Sequence, residues 1–397
     1  MSFEKTFIPY GAYWSSPFCR WQGSIGHLHA MHLAAQTATK FFAGSKVPVS
    51  SLDGIALGIT VHQQHSFYGA PWLAGMLGAP ELTGPTLSQA CATSARVLLN
   101  AALEVECGLR ECMLGVACDR TSNGPHVYYP NPKGMGGTGD TENPVIDNFS
   151  VDPFADNAMI ETAEKVAKAA GIGRAEQDEM ALLRAAQYEA ALADDRAFQK
   201  RYMVGVDLMK RKKVVGAVEA DEGIHPTTAD GLAGLRPVMP DGTVTFGTQT
   251  HPADGNAGIV VCGKERAAEL SKDGGAPIQL LSYAEARVDK GMMPMAVVPA
   301  AQAALERAGY GVDDCGAIKT HNPFAVNDVY FCREMGLSPD KCNAYGSPLV
   351  YGHPQAPTGL RAIIELIEQL AQTGGGIGLF SGCAAGDTAA ALVLKVA

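Results

Sequence analysis

Cys91 lies in a stretch of small residues just before a predicted helix, a position that suits a nucleophile. The stretch Gly84–Ala95 runs from turn-forming residues into small ones, and apolar spacing predicts a helix from Ala95 to Cys107. Unpaired N–H groups at the start of a helix stabilise an anion, so a cysteine placed there is favoured as a thiolate. Cys91 is therefore a candidate nucleophile. The alternative is an inert core thiol, because free cysteines are among the most buried residues.

A histidine and a second cysteine lie in turns of the C-terminal part of the chain. His353 stands between Gly352 and Pro354, which force a turn and expose the imidazole as a base for Cys91. A turn histidine with structural contacts alone is the alternative. Cys383 follows a predicted strand among small residues, where a thiol could exchange a proton with a substrate. A buried core thiol is again the alternative.

Polar and basic side chains elsewhere suggest contacts with a ligand. His321 and Asn322 follow a predicted strand, and their N–H donors suit polarisation of a carbonyl oxygen, although they could simply cap a loop. The basic run of Arg211, Lys212 and Lys213 could contact phosphates or form a solvated face. No spacing of histidines and cysteines predicts a metal site.

Predicted strands and helices alternate along most of the chain, which indicates an α/β fold with a mostly parallel sheet. Cys91 precedes a helix and then a strand that ends at Cys118, and His353 precedes a helix and then a strand that ends at Cys383. This repeated order predicts two similar halves packed face to face. Helix N-termini from both halves would then point into one shared site, where their N–H groups could stabilise an oxyanion.

A long insertion separates two strands of the first half. Gly, Asn, Pro and Tyr cluster within 123–143, and two helical segments follow, so the insertion is expected to form a lid. The predicted units are a first half made of 1–120 plus 241–270, an inserted lid at 121–240 and a second half at 271–397.

Composition excludes several classes of protein. The chain has 397 residues, 47% of them hydrophobic, and a formal net charge of −10, which predicts a large core and disfavours a nucleic-acid partner. No long apolar run predicts a membrane span, and no basic segment followed by an apolar one predicts a secretory signal. The scattered cysteines are typical of a reducing compartment, so a cytoplasmic location is expected.

Together these motifs resemble the thiolase family over almost the whole chain. The motifs that carry the resemblance, in the order of the family, are Cys91-Ala92-Thr93-Ser94-Ala95, Asp241-Gly242-Thr243-Val244-Thr245, His321-Asn322-Pro323-Phe324-Ala325, Gly352-His353-Pro354 and Cys383. The resemblance implies duplicated βαβαβαββ halves that form a five-layered αβαβα core with an inserted lid domain.

The resemblance also implies a two-step reaction with coenzyme A as a substrate and no tightly bound cofactor. Cys91, activated by His353, would attack the ketone of a 3-oxoacyl-CoA, and Cys383 would protonate the departing enolate before CoA takes the acyl group. The residues implied in oxyanion or substrate contacts are His353, His321 through a water, Asn322, Thr250, the backbone N–H groups of Cys91 and Ala385, and Gly386.

Several loops depart from the usual family pattern. Asn322 stands where the family often has an acid, and Ala384, Ala385 and Asp387 replace glycines after Cys383. Such loops resemble those of divergent thiolases that act on bulky acyl groups, among them benzoylsuccinyl-CoA thiolase. This resemblance implies a degradative enzyme for a bulky or aromatic acyl group, a homodimer and a small zinc-ribbon partner subunit.

Two other functions remain open at the level of sequence. One is a synthase-type condensing acyltransferase of the same superfamily, although such relatives typically lack a second cysteine like Cys383. The other is a non-catalytic scaffold subunit that binds CoA ligands.

Overall fold

A computed structural model describes residues 1–397, which form fifteen strands and twelve helices. The strands are β1 (Phe7–Ile8), β2 (Tyr13–Ser15), β3 (Cys19–Arg20), β4 (Gly54–Gly58), β5 (Thr86–Leu87), β6 (Cys112–Arg120), β7 (Val127–Pro130), β8 (Gly139–Glu142), β9 (Val206–Lys210), β10 (Lys213–Val218), β11 (Ala253–Cys262), β12 (Ile278–Arg287), β13 (Cys315–His321), β14 (Gly376–Ala384) and β15 (Thr388–Val396). The helices are α1 (Ala30–Gly44), α2 (Gly69–Met76), α3 (Thr93–Glu106), α4 (Ile146–Ser150), α5 (Met159–Ala170), α6 (Arg174–Arg196), α7 (Ala229–Ala233), α8 (Lys264–Leu270), α9 (Val297–Ala308), α10 (Ala325–Glu334), α11 (Pro348–Tyr351) and α12 (Thr358–Gln372).

Eleven strands are hydrogen-bonded in the order β13-β14-β15-β12-β1-β11-β6-β4-β5, with β2 and β3 also paired to β11. The short strand β1 pairs with both β12 and β11 and so joins the sheet of the second half to the sheet of the first. Only β4 with β5, β4 with β6 and β13 with β14 run parallel. The expectation of a mostly parallel sheet is therefore wrong. Each half includes a long antiparallel pair, β6 with β11 and β14 with β15. The second pair closes through a tight turn, where Gly386 (φ 82) and Asp387 (φ 59) take left-handed conformations.

Three large apolar clusters separate the layers of the molecule. The first lies between the two halves and contains α3 and α12, which pack against each other. The second covers the outer face of the C-terminal half with α9, α10 and the lid helices α5 and α6. The third covers the outer face of the N-terminal half with α1, α2 and α8. The order helix, sheet, helix, sheet, helix confirms the five-layered αβαβα fold with duplicated halves.

The two halves meet at the starts of α3 and α12. The N–H group of Leu360, in the first turn of α12, donates to the hydroxyl oxygen of Ser94 in the first turn of α3, at 2.8 Å. Cys91 lies just before one helix and His353 just before the other. The residue repeat seen in the sequence therefore brings both side chains to one place between the halves.

The inserted segment runs from the end of β6 to the start of β11, over residues 121–252. It is fastened to the core by two fully buried ion pairs, Arg361 with Asp221 and Arg184 with Asp328, each at 2.6 Å. Removal of one partner would leave an uncompensated buried charge, so these pairs hold the lid in register with the core. None of the helices is long and apolar enough to cross a membrane.

Candidate active site

Cys91 lies in a short loop before α3, and the backbone there is strained. Ala90 has a φ of 44°, in the left-handed region that residues with a Cβ rarely adopt. The hydroxyl of Thr93 holds this turn, since it accepts from the N–H of Gln89 at 2.8 Å and donates to the carbonyl of Ala90 at 2.7 Å. The Cys91 side chain is half-buried.

The thiol of Cys91 contacts the imidazole of His353. The Sγ to Nε2 distance is 3.1 Å, and the other ring nitrogen, Nδ1, bonds the hydroxyl of Thr358 at 2.7 Å. Burial raises the pKa of the Cys91 thiol to about 11, although the backbone N–H of Ala385 counteracts this. The expectation that the helix start alone favours a thiolate is thus outweighed by burial. Burial, with His321 nearby, also lowers the pKa of His353 well below its usual value, so a neutral imidazole is available to take the proton.

His321 is the last residue of β13, and its ring centroid lies 4.3 Å from that of His353. Burial lowers the pKa of His321 to about 3, so the ring is neutral. Both of its nitrogens are buried without a partner in the protein, which leaves an N–H donor for a ligand or a water. The sulfur of Cys91 and one ring nitrogen of each of the two histidines lie within 4.8 Å of one another.

Cys383 lies fully buried near the end of β14. Burial and the neighbouring Cys91 raise the pKa of its thiol well above the usual value, and a hydrogen bond from Asn327 lowers it. That bond joins Asn327 Nδ2 to the sulfur at 3.2 Å. Asn327 lies in the first turn of α10, a helix that the sequence pattern did not predict.

Asn322 has no donor left for a substrate. Its Nδ2 group donates to the carboxylate of Asp328 at 2.6 Å and to the hydroxyl of Ser347 at 3.0 Å, while its Oδ1 accepts from the N–H of Leu349. In this structure Asn322 therefore supports the loop after His321. Asp328, the acid nearest to Asn322, is itself held in a buried ion pair with Arg184.

Asp119, near the end of β6, joins two loops close to Cys91. Its carboxylate accepts from the N–H and hydroxyl groups of Thr60, the N–H of Val61 and the N–H of Ala356, at 2.6–2.9 Å. Ala356 lies three residues after His353, so this carboxylate holds the loop that carries His353. Burial raises the pKa of Asp119 to about 6.

A cavity of about 420 Å³ opens onto Cys91 and His353. Its walls come from both halves and from the lid, and none of them is an acid, a lysine or an arginine. The lining residues are Cys91, Ile146, Phe149, Ser150, Ala158, Met159, Ile160, Val238, Gln249, Thr250, Pro252, Met293, Pro323, Phe324 and His353. Such a surface suits an uncharged ligand with few hydrogen-bonding groups.

The other predicted contact residues are spread more widely. Thr250 lines the cavity, but its hydroxyl donates to the carbonyl of Pro348 at 2.6 Å. Ala385 and Gly386 form the turn between β14 and β15, and the backbone of Ala385 is near enough to Cys91 to lower the pKa of its thiol. Arg211, Lys212 and Lys213 lie at the exposed tip of the β9–β10 hairpin, and none of these basic residues lines the cavity.

Comparison with protein families decides what kind of protein this is. A family described as "Thiolase, N-terminal domain" matches residues 13–265, and one described as "Thiolase, C-terminal domain" matches residues 276–396. The chain belongs to the thiolase family. It is an acyltransferase enzyme.

Individual thiolases are similar over most of their length. An acetyl-CoA acetyltransferase of Chromobacterium violaceum is 30% identical over 80% of this chain and 81% of that protein. A β-ketoadipyl-CoA thiolase of Pseudomonas knackmussii is 29% identical over 96% of each chain. The crystal structure of human mitochondrial 3-ketoacyl-CoA thiolase in complex with CoA has a TM-score of 0.91 at 23% identity, over 100% of this chain and 99% of that one, and this likeness shows the fold.

Sequence reasoning missed the buried polar residues around the site of this thiolase. Asn327 and Asp328 stand together in the otherwise apolar Val326–Val329 segment, and Asp119 directly follows a buried apolar strand. Polar residues in such positions are seldom buried without a specific partner, and this was the signal available for finding them.

Proposed function

We propose that this thiolase cleaves a 3-oxoacyl-CoA with CoA, or runs the reverse Claisen condensation, through an acyl group carried on Cys91. The 3.1 Å contact between Cys91 Sγ and His353 Nε2 carries the proposal. A thiol next to a neutral imidazole, at the end of an uncharged cavity, has the parts of an activated nucleophile.

In the first step His353 takes the proton of Cys91, and the sulfur attacks the ketone carbon C3. The resulting alkoxide collapses, the C2–C3 bond breaks, and its electron pair goes to C2 as an enolate of the departing CoA ester. Cys383 supplies the proton to C2. In the second step Cys383 regains a proton from the one that His353 holds, and His353 takes the proton of a CoA thiol. The CoA sulfur attacks the acyl carbon, and Cys91 leaves and recovers that proton from His353.

Two sets of donors are placed for the negative oxygens. His321 and protonated His353 would serve one, with a water joining His321 to the oxygen. The backbone N–H groups of Cys91 and Ala385 would serve the other. Fixed donors in a site shielded from water stabilise such charges without reorganisation.

We infer that the reaction is degradative and that the acyl group is bulky or aromatic, with benzoylsuccinyl-CoA as an example of the substrate class. The cavity supports this inference, because it is about 420 Å³ in volume and lined mostly by apolar side chains. The departures from the family sequence pattern at Asn322 and after Cys383 also favour a bulky acyl group. A synthase-type reaction is disfavoured by Cys383, and a non-catalytic scaffold is disfavoured by the contact of Cys91 with His353.

CoA enters this proposal as a substrate, consistent with the CoA complex of the human relative. We propose that Arg211, Lys212 and Lys213 contact its phosphates. A homodimer is supported by the free edge of the sheet at β5, beside which Phe67 and Tyr68 are 93% and 65% exposed. A cytoplasmic location, proposed from the scattered cysteines, and a small zinc-ribbon partner subunit, proposed from the resemblance of the sequence, complete the proposal.

A panel of 3-oxoacyl-CoA esters tests the function. Linear, branched and aromatic esters would be incubated with CoA, with and without candidate partner proteins, and the products identified by mass. The proposal expects two shorter CoA esters and an acyl adduct on Cys91 in the absence of free CoA. No adduct with any ester would favour the scaffold, and preference for short linear esters would refute the bulky acyl group.

A further inference from the structure

Cys383 lies in surroundings that disfavour the charge it must carry. When its thiol gives a proton to C2, the sulfur becomes a thiolate inside the core. The side chain is fully buried, and an isolated thiolate in apolar surroundings is strongly disfavoured. Some donor must therefore lie beside this sulfur if the proton is to move readily.

Asn327 provides that donor. Its Nδ2 lies 3.2 Å from Cys383 Sγ, and the side chain is 1% exposed. The Oδ1 atom has no hydrogen-bond partner in the protein. Buried amides normally have their polar atoms bonded to backbone or side chains that they hold in place. The only side-chain hydrogen bond of Asn327 is to a reacting atom, so the amide serves the sulfur and not the packing of the fold.

Resting on the proposed thiolase reaction, we propose that Asn327 is a further catalytic residue, whose N–H group stabilises the thiolate of Cys383. The donor bonds weakly to the neutral thiol and strongly to the anion, because hydrogen bonds to ionised acceptors are roughly twice as strong. The stabilisation therefore grows as the proton leaves, which is the condition for acceleration of a step.

The proton balance places this charge in the carbon–carbon step. In cleavage, Cys383 gives its proton to C2 and is left as a thiolate facing Asn327, and it regains a proton from the one that His353 holds. His353 then takes the proton of the incoming CoA thiol, and the CoA sulfur displaces Cys91, which recovers that proton from His353. In the condensation direction the Cys383 thiolate removes a proton from C2 of the CoA ester, again beside Asn327.

The test separates the two half-reactions. Asn327→Leu removes the donor at similar size, and Asn327→Asp replaces it with a charge that repels a thiolate. Acyl transfer is measured by intact mass as acetylation of Cys91 by acetyl-CoA. Proton transfer by Cys383 is measured as deuterium exchange at C2 of acetyl-CoA. Cleavage is followed with acetoacetyl-CoA or 3-oxo-3-phenylpropanoyl-CoA, whichever the unchanged protein cleaves faster.

We expect both variants to lose cleavage and exchange by on the order of 10- to 100-fold, the effect of one hydrogen bond to a charge, with the aspartate variant the slower. Acetylation of Cys91 should change by less than about threefold, since Asn327 does not contact Cys91. Loss of the donor also raises the pKa of Cys383, so the rise of exchange with pH should move to higher pH in Asn327→Leu.

Asn256→Leu is the matched control. Asn256 is equally buried, but its amide oxygen accepts from Trp14 and Thr37 in the other half of the molecule. A fold defect alone lowers acetylation and exchange together, as expected of this control.

Equal losses of the two half-reactions in the Asn327 variants, or unchanged exchange, would overturn the role of Asn327. If the unchanged protein neither acetylates Cys91 nor cleaves any ester, the proposed function fails and not this residue alone.

Discussion

The two thiols of the site differ in their burial and in their partners. Cys91 is half-buried on a strained loop, with a neutral imidazole 3.1 Å from its sulfur. Cys383 is fully buried on a strand, and the polar side chain at its sulfur is the amide of Asn327. A base beside a thiol removes its proton and makes a nucleophile, whereas a neutral donor stabilises the charge that is left after a proton has moved. Burial raises the pKa values of both thiols. The difference in their proposed roles therefore follows from the partner of each sulfur.

The largest effect is expected when the proposed nucleophile, Cys91, is replaced. Cys91→Ser should lower thiolysis by on the order of 10⁴-fold or more, because an alcohol at this position is a far weaker nucleophile and no acyl thioester forms. Product mass checks the rate and intact mass checks the adduct. Cys107→Ser, a change at an exposed cysteine, should leave both unchanged. Residual turnover near the original rate would remove Cys91 from its proposed role.

Removal of the proposed base, His353, should affect the chemistry of Cys91 alone. His353→Ala should lower acylation of Cys91 by about 10²- to 10⁴-fold, since no group remains to take its proton. The exposed His62→Ala serves as the control variant. Acylation is measured by rapid quenching and intact mass. Equal slowing in the His62→Ala variant would mean that the loss in His353→Ala does not identify His353 as the base.

The pH dependence follows from the buried state of His353. Because burial lowers its pKa well below the usual imidazole value of about 6.5, the neutral form that accepts a proton persists as the pH falls through that value. Acylation of Cys91 should therefore stay level between about pH 6 and 8. A half-maximal rate near pH 6.5 would indicate an exposed, ordinary imidazole instead.

A smaller loss of Cys91 acylation should follow when the hydrogen bonds that hold the loop of His353 are weakened. Asp119→Asn keeps the size of the side chain but places an amide N–H group against backbone donors, so acylation should fall about 10-fold. Asp53→Asn is the matched control, since Asp53 also accepts two backbone N–H groups, of Glu111 and Cys112, at the opposite end of β6. Exchange at C2 should be less affected than acylation, because Cys383 lies on another element. Equal losses in the Asp119 and Asp53 variants would point to stability alone.

A substitution at the proposed dimer interface should have the smallest effect on the chemistry of the two thiols. Phe67→Asp should convert the dimer to a monomer by light scattering, because a charge on a buried interface side chain is strongly disfavoured. Leu109→Asp, at another exposed apolar side chain, should leave the dimer intact. A monomer in the unchanged protein would refute the homodimer.

The sequence predicts the surroundings of Cys91 better than those of Cys383. Cys91 and His353 each precede a helix with clear apolar spacing, so their loops and the repeat that unites them could be predicted. Asn327 lies in α10, which begins inside the His321 motif and has polar residues on its buried side, so no periodic pattern reveals it. The antiparallel pairs of the sheet escaped prediction for a related reason. Alternating strands and helices favour parallel neighbours, but β6 and β11 are partners across the whole inserted lid.

The separate roles of the two thiols are tested most directly with the Cys383→Ala variant. The variant would be given acetyl-CoA in one experiment and a 3-oxoacyl-CoA with CoA in another, with intact mass and product mass as readouts. We predict an acetyl adduct on Cys91 in the first and no carbon–carbon cleavage in the second. Full turnover in the second experiment would contradict the role of Cys383, and loss of the adduct in the first would show that the two thiols do not act separately.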